Sequence, residues 1–101
     1  VTNGMIDNID KININNEVKE KMINNLSNDI LISLSLNYIL VNQNIAYLES
    51  IGIKNIDLLL LNREYLFLND TNYIKESIGR FNLSSFVQLI NDDYTIIDEA
   101  F

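Results

Sequence analysis

The carboxylates near the end of this sequence are the first residues to consider for chemistry. Asp92 and Asp93 are adjacent, and Asp98 follows shortly after them. Two converging carboxylates can perform general acid–base catalysis, but neighbouring residues of a helix point in different directions. We therefore interpret these residues as solvated charges at helix ends. The chain contains no histidine and no cysteine, so it lacks the commonest general base, a thiolate nucleophile and the commonest transition-metal ligands.

An oxygen-rich segment from Asn69 to Glu76 is the second candidate, since it loosely resembles a calcium-binding loop. The glycine and the ligand spacing of such a loop are absent, so helix capping is the simpler interpretation. The three glycines lie far apart in the sequence, which excludes a glycine-rich phosphate loop. We predict that the chain is not an enzyme and has no catalytic, cofactor-binding or metal-binding residues, and no small-molecule substrate.

Four residues are instead candidates for contacting a partner: Arg63, Tyr65, Arg80 and Tyr94. The arginines have acidic or aromatic neighbours, and tyrosines can line a recognition groove while their hydroxyl groups reach water. The plainer alternative stays open, in which the arginines are ordinary surface residues and the tyrosines belong to the core.

The charge balance bears on the kind of partner. Fourteen acidic and seven basic residues give a net charge of −7, whereas phosphate-binding surfaces usually need clustered Lys and Arg. We predict a non-catalytic module that docks another protein, with a basic partner favoured, or that associates with itself. Nucleic-acid binding is the alternative function, and it requires Lys54, Arg63, Lys75 and Arg80 to share one concave face.

The apolar pattern predicts an all-α fold of five to seven short helices. Val18, Met22 and Leu26 recur with helical spacing. The run Ile30–Val41 is ambiguous, since its length favours a helix while its alternation also suits a strand. Residues 1–13 are polar and are predicted to form a flexible arm, followed by a single helical domain over residues 14–101. We find no apolar stretch of about 18 residues and no signal peptide, so we expect a cytoplasmic protein without a membrane span.

The sequence also contains segments that resemble one another. Asn37–Asn42 is similar to Glu64–Asn69, which lies 27 residues further on, and Asp93–Asp98 is a weaker third copy. Glu49–Gly52 recurs as Glu76–Gly79 at the same offset. We interpret each unit as a helix ending at glycine, a second apolar helix and a turn that contains tyrosine. Stacked units of this kind would bury one another's apolar faces, with Tyr38, Tyr65 and Tyr94 in equivalent places.

Two known repeats share features with these segments. Tyr47–Ile53, the apolar positions after it and Asn62–Leu66 resemble the helical repeat of mitochondrial transcription termination factors. That resemblance implies stacked helical hairpins; the family binds nucleic acid through a basic face, but this chain is acidic and lacks the family's proline, so we carry over only the architecture. The alternative is a leucine-rich-repeat-like α/β fold, because Leu31-x-x-Leu34-x-Leu36 and Ile56-x-x-Leu59-x-Leu61 also fit its strand motif.

Overall fold

The computed structural model describes residues 5–101, and helices account for its regular structure. The α-helices of this range are α1 (Asn16–Asn25), α2 (Asn28–Leu36), α3 (Tyr38–Ser50), α4 (Ile56–Asn62), α5 (Thr71–Ile78) and α6 (Leu83–Asp92). Three short 3-10 helices accompany them: the N-terminal 3-10 helix (Asp7–Lys11), the middle 3-10 helix (Glu64–Leu68) and the C-terminal 3-10 helix (Tyr94–Ala100). These residues form no strand, so the all-α prediction is confirmed and the α/β alternative is wrong.

Polar side chains fix where several helices begin, because the first backbone N–H groups of a helix have no partner within it. Asn15 accepts a hydrogen bond from the backbone of Val18 at the start of α1. Ser27 does the same for α2, and Asp70 accepts from the first turn of α5. Gly52 follows the end of α3, as the sequence predicts, and its φ of +101° is a left-handed conformation that glycine adopts without steric strain.

The ambiguous run Ile30–Val41 is helical and is divided at Asn37 into the end of α2 and the start of α3. Leu31, Leu34 and Ser35 are buried, which is the spacing of one helix face. Leu36, by contrast, is 68% exposed. A strand would have placed Leu34 and Leu36 on the same side of a sheet.

The predicted boundary between arm and domain needs correction. Residues 1–4 of the predicted arm lie outside the described residues. From residue 5 onward the flexible-arm prediction is wrong, because Ile9 and Ile12 are buried in the core. The N-terminal 3-10 helix packs against α2 and α3, and the backbone N–H of Asn8 donates to Ser35 Oγ at 3.1 Å. Two buried apolar residues spaced three apart and this hydrogen bond attach the segment to the helical domain.

The middle 3-10 helix lies at the centre of the packing, where it contacts α2, α3 and α4. Leu66 and Phe67 point into the core and are buried, while Tyr65 on the same short helix faces solvent. Burial of a side chain as large as phenylalanine contributes about 1.5–3 kcal/mol relative to exposure. The middle 3-10 helix is therefore attached to the core by its buried side, while its other side is exposed to solvent.

The tyrosines of the self-similar segments do not occupy equivalent places, so that prediction is wrong. Tyr38 begins the continuous helix α3, whereas Tyr65 and Tyr94 lie in 3-10 helices. Tyr65 is largely exposed, and Tyr38 and Tyr94 are half-buried. The physical reason is helix capping. Asp70 caps the new helix α5 directly after the second copy. The position 27 residues earlier, after the first copy, is Gln43, which lies inside the continuous helix α3.

Candidate functional site

A cavity opens between the middle and C-terminal 3-10 helices. Its volume is about 220 Å³. Apolar and polar side chains from α4, both 3-10 helices and the residues next to them line it: Asn62, Arg63, Glu64, Tyr65, Leu66, Asn69, Ile97, Asp98 and Phe101. The predicted partner-binding residues Arg63 and Tyr65 are thus both part of its wall.

Exposed aromatic side chains line this cavity or contact a residue of its wall. Tyr65 is 67% exposed, Tyr73 is 51% exposed and Phe101 is 45% exposed. The rings of Tyr73 and Phe101 are in contact, with centroids 5.9 Å apart and planes tilted by 56°, while Tyr65 and Phe101 both line the cavity. We call these three residues the aromatic rim. Aromatic side chains left exposed together are typical of protein-binding surfaces.

Arg63, the residue after α4, binds the C-terminal 3-10 helix through Asp98. Its Nε donates to Asp98 Oδ1 at 2.8 Å and its Nη2 donates to Asp98 Oδ2 at 2.9 Å, which is the two-pronged pairing that arginine and carboxylate favour. The guanidinium also lies 5.5 Å from the centroid of the Tyr94 ring. This pairing raises the pKa of Arg63 and lowers the pKa of Asp98. The side chain therefore already has partners within the chain.

Arg80 holds the same 3-10 helix at its other end. Its Nη2 donates to the carbonyl of Ala100 at 2.8 Å, and its Nε donates to the carbonyl of Ser77 at 3.2 Å. Of the four residues predicted from the sequence, Tyr65 is thus the one displayed on the aromatic rim. Arg63, Arg80 and Tyr94 instead form contacts that hold the C-terminal 3-10 helix, and with it the neighbouring Phe101, in place.

Sequence reasoning missed Asn44, which positions one wall of the cavity. Asn44 is fully buried in α3, and its Nδ2 donates to the carbonyls of Phe67 and Asn69 at 2.9 and 2.8 Å. Its Oδ1 accepts from the hydroxyl of Thr71 at 2.6 Å. The residue occupies the apolar stripe of its helix, three positions after Val41, and this spacing was the signal that the sequence offered.

Two of the three carboxylates considered for catalysis, Asp93 and Asp98, have structural partners in this arrangement. Asp93 accepts hydrogen bonds from the backbone and hydroxyl of Thr95, at 3.0 and 2.6 Å. These bonds lower the pKa of Asp93, and Arg63 lowers the pKa of Asp98. A general acid at neutral pH requires the opposite, a raised pKa. Residues 5–101 also contain no group of three or more acidic side chains close enough to hold a metal ion.

Three of the four basic residues needed for nucleic-acid binding, Arg63, Lys75 and Arg80, make contacts within the chain. Arg63 and Arg80 bind oxygen atoms of the C-terminal 3-10 helix. Lys75 Nζ lies 5.3 Å from the centroid of the Tyr47 ring. Because a phosphate would have to compete with these contacts, the arrangement gives no support to the nucleic-acid alternative.

Comparisons with known proteins add no identification. We find no match to this chain among protein-family models, curated proteins or solved structures. The resemblance to the helical repeat of mitochondrial transcription termination factors therefore stays a prediction. Over residues 5–101, none of the helices combines the length and the apolar character that crossing a bilayer requires.

Proposed function

We propose that this domain is a non-catalytic docking module that binds another protein through the aromatic rim and the cavity behind it. The observation that carries the proposal is the exposure of Tyr65, Tyr73 and Phe101 around a cavity of about 220 Å³. Protein interfaces concentrate their binding energy in aromatic side chains and in pockets that receive an anchoring side chain. A surface with both features is better suited to docking than to catalysis.

The contacts beneath the aromatic rim support this proposal, because a preorganised surface loses less conformational entropy on binding. Asn44 holds the segment after the middle 3-10 helix through two donated hydrogen bonds. Arg63 and Arg80 hold the C-terminal 3-10 helix. The two segments that carry Tyr65 and Phe101 are therefore tied to the helical core by side chains that do not themselves need to touch a partner.

We also propose that the domain is built from stacked helical units. The order α3, α4 and middle 3-10 helix is repeated by α5, α6 and the C-terminal 3-10 helix. This recurrence supports the architecture implied by the resemblance to the transcription termination factor repeat, without its nucleic-acid function. A cytoplasmic setting is our proposal from composition, since a secreted domain of this size commonly uses disulfides and this chain has no cysteine.

Site-specific photo-crosslinking tests the docking proposal. We would replace Tyr65 by the photoreactive residue p-benzoylphenylalanine and irradiate the full chain in an extract of cells that naturally express it. Leu89 on α6 is the matched control position, because it is also about half exposed but does not line the cavity. The proposal predicts a discrete adduct from position 65 that weakens when Phe101→Ala is added. Equal adducts from both positions, or no adduct from position 65, would contradict it.

A further inference from the structure

We propose that the cavity receives one aromatic or large aliphatic side chain of a partner segment, and that a Lys or Arg beside it in that segment pairs with Glu64. This inference rests on the proposed docking function and specifies the chemistry of the partner. It follows from the size of the cavity, the charge at its mouth and the contacts that its other polar side chains already make.

The size of the cavity limits what can fill it. A cavity of about 150 Å³ lined by apolar side chains accommodates a benzene ring, and the cavity here measures about 220 Å³. Pockets that enclose a whole small-molecule ligand are larger, at roughly 300–1,000 Å³. The cavity therefore matches a single ring or branched aliphatic group. Leu66, Ile97 and Phe101 supply apolar walls for such a group.

The charge at the mouth of the cavity points to a cationic neighbour for that side chain. The ion pairs within residues 5–101 join Lys21 to Glu17 and Arg63 to Asp98, so Glu64 has no ion-pair partner of its own among these residues. Glu64 lies near Arg63 and contributes to its raised pKa, but the two-pronged bond of Arg63 is directed to Asp98. A Lys or Arg of the partner would supply the missing positive charge.

A second copy of this chain fits the cavity less well. Two molecules that each carry a net charge of −7 repel one another. The most exposed aliphatic side chains of the described residues are Leu36 and Ile39, and residues 33–42 around them contain no Lys or Arg. Such a segment could fill the cavity but could not pair with Glu64. A foreign, cationic segment satisfies both requirements.

Selection from a phage-displayed library of random 12-residue peptides tests the inference without assuming a partner. The full chain would be the bait, and enriched peptides would be resynthesised with a fluorescent label for anisotropy titrations. We expect enrichment of peptides in which Phe, Tyr, Trp or Leu adjoins Lys or Arg. Tyr65→Ala should weaken their binding by about tenfold or more, while Leu89→Ala should leave it unchanged.

The pairing with Glu64 is tested by a double-mutant cycle, in which Glu64→Gln is combined with replacement of the peptide's basic residue by Gln. Each single change should lower affinity about two- to fivefold, and the two together should lower it little further, because either one removes the same ion pair. Additive losses would overturn the pairing while leaving docking at the aromatic rim intact.

Two other results would overturn more than the pairing. If no peptide is enriched, or if enriched peptides bind Tyr65→Ala as well as the unchanged chain, the docking proposal itself fails. If sedimentation shows dimers that Tyr65→Ala dissociates, the occupant is a second copy and the inference of a cationic partner is wrong.

Discussion

Replacing the buried Asn44 by alanine should strongly destabilise this domain, because the side chain joins three segments of the chain. The substitution removes two hydrogen bonds donated to the carbonyls of Phe67 and Asn69 and one accepted from Thr71. Each such bond contributes about 1 kcal/mol net, so Asn44→Ala should lower the free energy of unfolding by about 3 kcal/mol. Small domains have a total stability of roughly 5–15 kcal/mol, and the loss is therefore a large share of the whole.

Urea denaturation followed by circular dichroism measures this loss directly. With a slope of roughly 2 kcal/mol per molar urea, the midpoint should fall by about 1.5 M, and the melting temperature should fall by roughly 12–24 °C. Gln43→Ala is the matched control, since Gln43 is the exposed neighbour of Asn44 in α3 and its replacement should change stability by less than about 0.5 kcal/mol. A loss below about 1 kcal/mol for Asn44→Ala would refute the view that this side chain secures the middle of the domain.

Three further predictions concern the charge of Asp98, the backbone conformation of Gly52 and the buried side chain of Phe67. Asp98→Asn should destabilise the domain at about pH 7, and in urea unfolding the difference from the unchanged chain should vanish once the pH lies below the lowered pKa of Asp98. The reason is that Arg63 lowers the pKa of Asp98 from its ordinary value of 3.8. The pairing therefore contributes to the free energy of unfolding above that pH, and this contribution is lost as the pH falls through the lowered pKa. Gly52→Ala should cost about 1–2 kcal/mol in the same assay, because a φ of +101° strains a residue with a Cβ. Phe67→Ala should cost about 3–5 kcal/mol, whereas Tyr65→Ala on the same 3-10 helix should cost less than about 0.5 kcal/mol because it is exposed.

The parts of the fold that leave a visible signal in the sequence are those with local causes. Asn15, Ser27 and Asp70 begin helices by bonding to backbone N–H groups two or three residues away. Gly52 marks the end of α3 through its own backbone conformation. Signals of this kind lie within one helical turn of the feature that they determine, so they can be interpreted before any tertiary contact is known.

The features that escaped prediction depend on residues far apart in the chain. The bonds from Asn44 cross 23 and 25 residues, so its place on the apolar stripe of α3 indicates burial but does not identify the groups that it binds. The partner of Arg63 is 35 residues away. The sequence therefore singled out Arg63 as a residue of interest but gave no indication that Asp98 would bind it.

The residues of the candidate site also divide into those that the sequence predicted and those whose positions depend on distant parts of the chain. Tyr65 was predicted to contact a partner and is displayed on the aromatic rim, but Phe101 meets Tyr73 only because the C-terminal 3-10 helix packs against α6 and is bonded to Arg63 and Arg80. That return depends on Ile97 and Ala100, which are buried, and on two arginines. No periodicity in the sequence indicates such a return, because Arg63 and its partner Asp98 are 35 residues apart and belong to different units of the self-similar pattern.

The position of Phe101 has a practical consequence for anyone who handles this domain. A fluorescent protein or affinity tag fused after Phe101 would emerge beside the mouth of the cavity and shield it. A polyhistidine tail placed there, partly cationic below neutral pH, would itself compete for the mouth near Glu64. Labels for binding assays therefore belong on an exposed side chain of α6, such as Leu89, which does not line the cavity.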